Sequence, residues 1–384
     1  MYGDARLELG EQLLNQGFQR PLVVSDATME RLGFLKELCE ALENSGLTVA
    51  TVLVSDREEP SDLSIQPVLD GLRGHKADAV LALGGGSVID STKAAALLYA
   101  HGGLIEHYKF PVPIPDAGVP VYAIPTTAGT GSEATAATVI THVASGEKML
   151  LMGPALIPAC AVVDYCLSMT QPQRLTADTG LDALTHALEA YVSRKATEHT
   201  DVIALRAMEG IYGSLRCAYH HGNEEARREM MHCATYAGIA FSNASVALVH
   251  GMSRPIGARY HVPHGLSNAM LLPALTAYSL SAAKARYAAC ARSMGIADDS
   301  LSDDQAGMVL VTALQNLVEE LQVPTLEGFG IDRQDFLAAA PEMATQALAS
   351  GSPGNNPRVP QGDDMVTLYE LVFDGAPLEE IAQL

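Results

Sequence analysis

A chain of 384 residues exceeds what one hydrophobic core usually organises, so two domains with ample apolar cores are expected. Acidic residues outnumber basic ones 45 to 24, for a formal charge of −21, which argues against nucleic acid or an anionic membrane surface as partner and favours small molecules. The six cysteines form no C-x-x-C pair or close cluster, and no secretory or membrane-spanning stretch is read, so neither a disulfide framework nor a cysteine-bound zinc site is indicated and a reducing cytoplasm is the expected home.

From residue 21 to about 165, short apolar runs alternate with helical stretches. PLVVSD is followed by a helix through Met29 to Asn44, then TVATVLVSD, a helix from Ile65 to Gly74, ADAVLALGGGS, a helix from Val88 to Tyr99, and VPVYAIPTT. This rhythm predicts βαβ units and a Rossmann-like parallel sheet covered by helices. It breaks at TVITHVASGEKMLLM, where two apolar runs flank Ala144-Ser145-Gly146-Glu147 and predict a β-hairpin. ACAVVDYCL reads as one more strand. After Pro172 strand signals stop and the sequence becomes Ala- and Leu-rich with helical period, which predicts an α/β domain over 1–170 and an all-α domain over 171–384. Ser302-Asp303-Asp304-Gln305 has the form of a capping box opening one of those helices.

Two glycine-rich loops follow strands in the first domain. Gly84, Gly85 and Gly86 lie between a buried strand and a helix, an order that sets backbone N–H groups and a positive helix end beside a phosphate. The second loop, TTAGTGSEAT, offers the hydroxyls of Thr126, Thr127, Thr130 and Ser132 at the carboxyl end of a strand, where ligands of open α/β sheets sit. Two such loops suit a dinucleotide. Asp26, ending the first strand, reads either as an acceptor for an adenosine ribose, favouring NAD over NADP by charge, or as a helix N-cap.

In the second domain, TADTGLDALTHALEAYVS predicts a helix beginning near Thr170. Leu181, Leu184 and Leu188 form its packed face, while Asp178, Asp182, His186 and Glu189 form a separate stripe. Acids with a histidine attract a cation, although such a stripe alone also reads as a solvated helix face. Downstream, LVHGMSRPIGARYHVPHGLSNAMLLP carries His250, His261 and His264 between apolar flanks. Joined to Asp182 and His186, these histidines could close a site of one carboxylate and three imidazoles, suited to iron(II) or zinc.

GGGSVID, PTTAGTGSE, TGLDALTHALEAY and the HGM…PHG block, in this order, resemble the iron-containing (group III) alcohol dehydrogenase family. The resemblance implies the architecture shared with dehydroquinate synthase, with a cleft between the domains, and metal binding by Asp182, His186, His250 and His264. It also implies cofactor binding by Asp26, Gly85, Gly86, Ser87, Asp90, Thr126, Thr127, Thr130 and Lys148, and a homodimer or larger homo-oligomer. The expected reaction is hydride transfer between NAD(H) and a small alcohol or aldehyde, with Fe2+, or alternatively Zn2+, as Lewis acid and His261 as one exit for the proton. A hydroxyacid-oxoacid transhydrogenase that retains its NAD, a dehydroquinate-synthase-like lyase and a non-enzymic nucleotide-binding assembly protein are the competing readings.

The chain departs from the family pattern in three places. The family usually has an extra strand before the equivalent of Tyr2-Gly3, and Glu59-Pro60-Ser61 replaces the usual Pro-Asn-Pro. Arg254 stands where close members carry a histidine thought to help proton transfer, and a guanidinium cannot serve as an ordinary base. Four residues past His250, Arg254 should face the same side as that histidine if the stretch is helical. Two roles remain open for it: a salt bridge to a neighbouring acid, or recognition of a substrate with an anionic far end.

Overall fold

The computed structural model describes residues 4–55, 59–116 and 118–384. The end of the second apolar run, at Asp56, and the Tyr2-Gly3 pair lie outside the described residues. The chain divides into two compact units, Met1–Gln171 and Pro172–Leu384.

The first unit is built on five parallel strands in the order β2-β1-β3-β4-β7. They are β1 (Pro21–Asp26), β2 (Ala50–Val54), β3 (Ala79–Gly84), β4 (Val121–Pro125) and the two-residue β7 (Cys160–Ala161). Strand residues divide by alternation between two apolar layers. Leu22, Val24, Val80, Ala82 and Ala123 pack into one, and Val23, Ala79, Leu81, Leu83, Tyr122 and Ile124 into the other. Burial on both faces explains why these strands read as continuous apolar runs. The register runs from Pro21 opposite Ala79 and from Val80 opposite Val121, so β1, β3 and β4 end together at Asp26, Gly84 and Pro125.

The predicted hairpin forms a separate antiparallel pair, β5 (Ala137–His142) and β6 (Glu147–Met152), with His142 opposite Glu147 across the expected turn. Two local expectations are corrected. The run from Met29 to Asn44 is two helices, Ala27–Arg31 and Phe34–Asn44, because Gly33 takes a left-handed φ of 87° between them. ACAVVDYCL contributes only β7 before Asp164 caps a 3₁₀ turn at Tyr165–Ser168 by accepting from the Cys166 N–H.

The second unit is helical throughout its described residues. Its first helix, Gln173–Val192, is buried along most of its length against the Glu198–His220, Glu224–Ala244 and His264–Leu280 helices. Gly180 permits one close approach, since a Cβ there would come within 3.0 Å of the Met230 methyl. The capping box at Ser302 forms as expected: Gln305 Oε1 accepts from the Ser302 N–H at 3.0 Å and Ser302 Oγ from the Gln305 N–H at 3.3 Å. Among the described residues no helix is long and apolar enough to cross a membrane.

Candidate functional site

Three helices of the second unit converge on one buried cluster. The Gln173–Val192 helix supplies Asp182 and His186, the Leu248–Tyr260 helix supplies His250, and His264 is the first residue of the His264–Leu280 helix. One donor atom from each lies within 4.8 Å of all the others. The Nε2 atoms of His186, His250 and His264 stand 3.9, 3.6 and 3.7 Å from Asp182 Oδ1. A tetrahedral ion with bonds of about 2.1 Å needs donors separated by roughly 3.4 Å, so this set fits a divalent cation after only small adjustment. Gly265 lets the helices close, because a Cβ there would stand 3.2 Å from Asp182 Cβ and would strike the Asp178 carbonyl.

The electrostatics point the same way. Burial opposes ionisation of Asp182, but the three surrounding imidazoles outweigh it and hold the carboxyl well below its usual range. Burial likewise opposes a charge on His250, yet Asp182 and Glu189 raise its pKa. The cluster therefore stabilises positive charge at its centre, which a divalent cation supplies without protonating the ligands.

Partners around the cluster fix the rings. Glu189 Oε2 lies 2.7 Å from His250 Nδ1, which leaves Nε2 directed at Asp182. The same carboxylate accepts from the N–H groups of Ala247 at 2.9 Å and Val249 at 2.5 Å, at the start of the helix that carries His250. His186 stacks between Phe241, at a centroid distance of 4.1 Å, and His250, at 4.4 Å. Asn268 Nδ2 donates to Asp182 Oδ1 at 2.7 Å, while its Oδ1 accepts from the Ser253 hydroxyl. The His264 side chain is 37% exposed, against 5% or less for the other three, so the cluster opens on that side.

In the first unit the two glycine loops meet. Gly85 caps the Gly86–His101 helix, and a Cβ on Gly86 would come within 2.9 Å of Thr130 Cγ2, so the loops approach closely only because that position is bare. Thr127 adjoins Gly85, and the Thr126 N–H continues the sheet pairing by donating to the Gly84 carbonyl at 3.1 Å. Ser87 lies in the first turn of that helix, only partly buried. Asp26 realises the cap reading: Oδ1 accepts from the Thr28 and Met29 N–H groups, both at 2.9 Å. Asp90 spends its carboxylate on the Ser132 hydroxyl and the Val139 N–H, and so pins the second loop. Lys148, on β6, is ion-paired to Glu59 at 2.7 Å.

Two expected members stand apart from the metal cluster. Asp178 pairs with Arg174 at 2.5 Å, one turn back on its own helix, so the acidic stripe does carry a cation at its start. His261 is exposed at the carboxyl end of the Leu248–Tyr260 helix and is not among the converging donors. Arg254 does lie on the same helix as His250, with Nη1 3.0 Å from Ser352 Oγ.

Sequence reasoning missed Asn268 and Lys93. Asn268 follows His264 by four residues on one helix, and that spacing was the available signal. Lys93, an isolated cation in an Ala-rich run, is 2% exposed and donates to the carbonyls of Ser132, Thr135 and Ala137 at 2.6 to 3.0 Å. Burial lowers its pKa to about 8, with Asp90 and Glu133 opposing the shift.

Residues 1–165 match the family described as iron-containing alcohol dehydrogenase, and residues 176–373 match the C-terminal region of the Fe-containing alcohol dehydrogenase family. The chain is 36% identical to the NADPH-dependent butanol dehydrogenase of Clostridium saccharobutylicum, over 98% of this chain and 97% of that one. It is 34% identical to the NAD-dependent methanol dehydrogenase of Bacillus methanolicus, over 94% of each. A solved structure of 1,3-propanediol oxidoreductase superposes with a TM-score of 0.92 at 31% identity, over 97% of both chains.

Proposed function

Because the chain belongs to the iron-containing alcohol dehydrogenase family and is an oxidoreductase acting on alcohols or aldehydes, we propose that it transfers a hydride between NAD(H) and a small alcohol or aldehyde at a cation held by Asp182, His186, His250 and His264. The carrying observation is the convergence of one carboxylate and three imidazoles within 4.8 Å. That donor set suits Fe2+, with Zn2+ the alternative. When bound, such an ion supplies Lewis acidity to the oxygen of the reacting carbon.

The chain's own residues do the rest. Glu189 holds the His250 ring by Nδ1, and Asn268 steadies Asp182, so the donors stay aimed at one point. Burial of Asp182, His186 and His250, with Phe241 stacked on the His186 ring, keeps water from these donors and strengthens the electrostatics there. The substrate's proton has three exits, the cofactor's ribose hydroxyl, water, or His261, which is exposed three residues before His264.

Gly85, Gly86, Ser87, Thr126, Thr127 and Thr130 supply neutral donors for the dinucleotide, with Asp90 and Lys148 shaping the loop and hairpin beside them. Asp26 favours NAD: its carboxylate, held by two backbone N–H groups at the end of β1, would repel a 2′-phosphate. The relatives include both an NADPH-dependent and an NAD-dependent enzyme, so the preference rests on Asp26 rather than on the family. Six free cysteines suit a cytoplasmic enzyme, and a homodimer or larger homo-oligomer is the expected assembly.

The test is initial-rate measurement with free NAD and NADP on iron- or zinc-reconstituted protein, across short alcohols and aldehydes. His264→Ala should lose metal occupancy and turnover together, with rates down by at least ~100-fold. Full activity in a metal-free variant overturns the assignment. Turnover only between a hydroxyacid and an oxoacid, with no response to free NAD, would favour the transhydrogenase.

A further inference from the structure

Arg254 differs from several arginines of its unit. Arg174, Arg206, Arg286 and Arg333 each meet a carboxylate at 2.7 Å or closer. Among the described residues, no carboxylate oxygen lies within 4.0 Å of the Arg254 guanidinium, and its hydrogen bond goes to a neutral hydroxyl, Ser352 Oγ, at 3.0 Å. A guanidinium carries five donors, so this fork is under-used. The salt bridge that the sequence left open for Arg254 is therefore not made.

The surroundings sharpen the point. Arg254 is only partly exposed, and burial pulls its pKa below the usual guanidinium range, with Glu189 opposing. Glu189 acts only from a distance, since its oxygens already serve Ala247, Val249 and His250. Ser352 is also fixed: a Cβ on Gly251 would lie 2.6 Å from Pro353 Cγ, so the Ser352–Asn355 turn rests directly on the His250 helix. Asn355 Nδ2 ties that turn down by donating to Ser245 Oγ at 3.0 Å and to the Val246 carbonyl at 3.1 Å.

Arg254 follows His250 by one helical turn, about 6 Å along the axis and about 40° around it. We propose that Arg254, steadied by Ser352, is the specificity residue for substrates whose far end is an oxyanion, foremost the carboxylate of a short semialdehyde or hydroxy acid. The inference rests on the metal-dependent dehydrogenase reading above. Charge supports it: Asp182, Glu189, a divalent cation and Arg254 sum to one positive charge, which a single substrate carboxylate neutralises. A planar fork also matches a carboxylate in two parallel hydrogen bonds, which neither an uncharged alcohol nor a lone hydroxyl partner uses.

The experiment compares kcat/KM for succinic semialdehyde and butanal in the metal-loaded parent, Arg254→Leu and Arg254→Lys, with calorimetric titration of succinate into each. The parent should prefer the semialdehyde. In Arg254→Leu the semialdehyde-to-butanal ratio should fall about ten- to a hundredfold and succinate should bind weaker by a similar factor, with Arg254→Lys intermediate. Metal-dependent turnover with equal ratios in parent and Arg254→Leu overturns the subsite and leaves the dehydrogenase reading standing. Absence of turnover on either aldehyde in the loaded parent overturns that reading and the subsite with it.

Discussion

The helical unit and the α/β unit place their charges in opposite ways. In the helical unit Asp182, His186, His250 and His264 are aimed inward from three helices, and the mutual attraction of carboxylate and imidazoles holds Asp182 well below its usual pKa despite burial. In the α/β unit the loops at Gly85 and Thr130 present neutral groups, and the charged residues Lys93 and Asp90 sit behind them as fasteners. The difference matches the ligand proposed for each unit. A bare cation needs charged or strongly basic donors fixed within tenths of an ångström, which helix-borne side chains provide. A phosphate chain is satisfied by backbone and hydroxyl donors, so loop shape matters more than loop charge.

If that contrast is right, the largest effect comes from the fastener. Lys93→Met takes a charged donor from three backbone carbonyls and a favourable cation from the buried Asp90, and should cost on the order of 3 kcal/mol of stability. The pH dependence has a definite sign. Lys93 is held near 8 in the folded chain against 10.5 unfolded, so between those values the unfolded chain binds more protons. Relative to Lys93→Met, the parent should therefore gain stability as pH rises from 8 to 10.5, with no contribution to the difference in slope below 8. Thermal or urea unfolding of both proteins at pH 7, 8, 9 and 10 measures it, and parallel profiles would mean that Lys93 titrates normally.

Next in size, Glu189→Gln should weaken metal binding about ten- to a hundredfold, because the amide still accepts a backbone N–H but no longer polarises His250 as a carboxylate does. Competition against a colorimetric chelator reads this directly. Unchanged affinity would reduce Glu189 to a helix-start brace and weaken the idea that this unit's charges all serve the cation.

The smallest effect falls on the loop side. Asp26→Gly should shift the proposed preference for NAD over NADP about tenfold toward NADP, at a stability cost of only a few tenths of a kcal/mol because glycine is tolerated as a cap. Steady-state kinetics with both cofactors decide it. A parent enzyme that already prefers NADP would leave Asp26 as a cap alone.

Local pattern was enough for the strands β1, β3 and β4, the β5-β6 hairpin and the Ser302 capping box, because strand burial, turn chemistry and caps act over a few residues. It was also enough to put Asp182, His186 and Glu189 on one stripe, since helical period is fixed by the backbone. It placed β7 but made it too long, and it read the Met29–Asn44 run as one helix, where Asp164 and Gly33 interrupt apolar stretches by their own side-chain and backbone conformations.

What the sequence by itself determined was thus the set of elements and the faces they present. Only the tertiary structure decided which of His250, His261 and His264 share one point with Asp182, because that depends on three helices packing through Gly265 and on where the Leu248–Tyr260 helix ends. It likewise decided that Arg254 has no carboxylate, that Asp90 faces Ser132, and that Lys93 is buried beneath a loop. The physical reason is common to all of these. Propensity, period and capping are local along the chain, whereas the partner of a buried charge is chosen by residues tens to a hundred positions away, and no spacing rule encodes that choice.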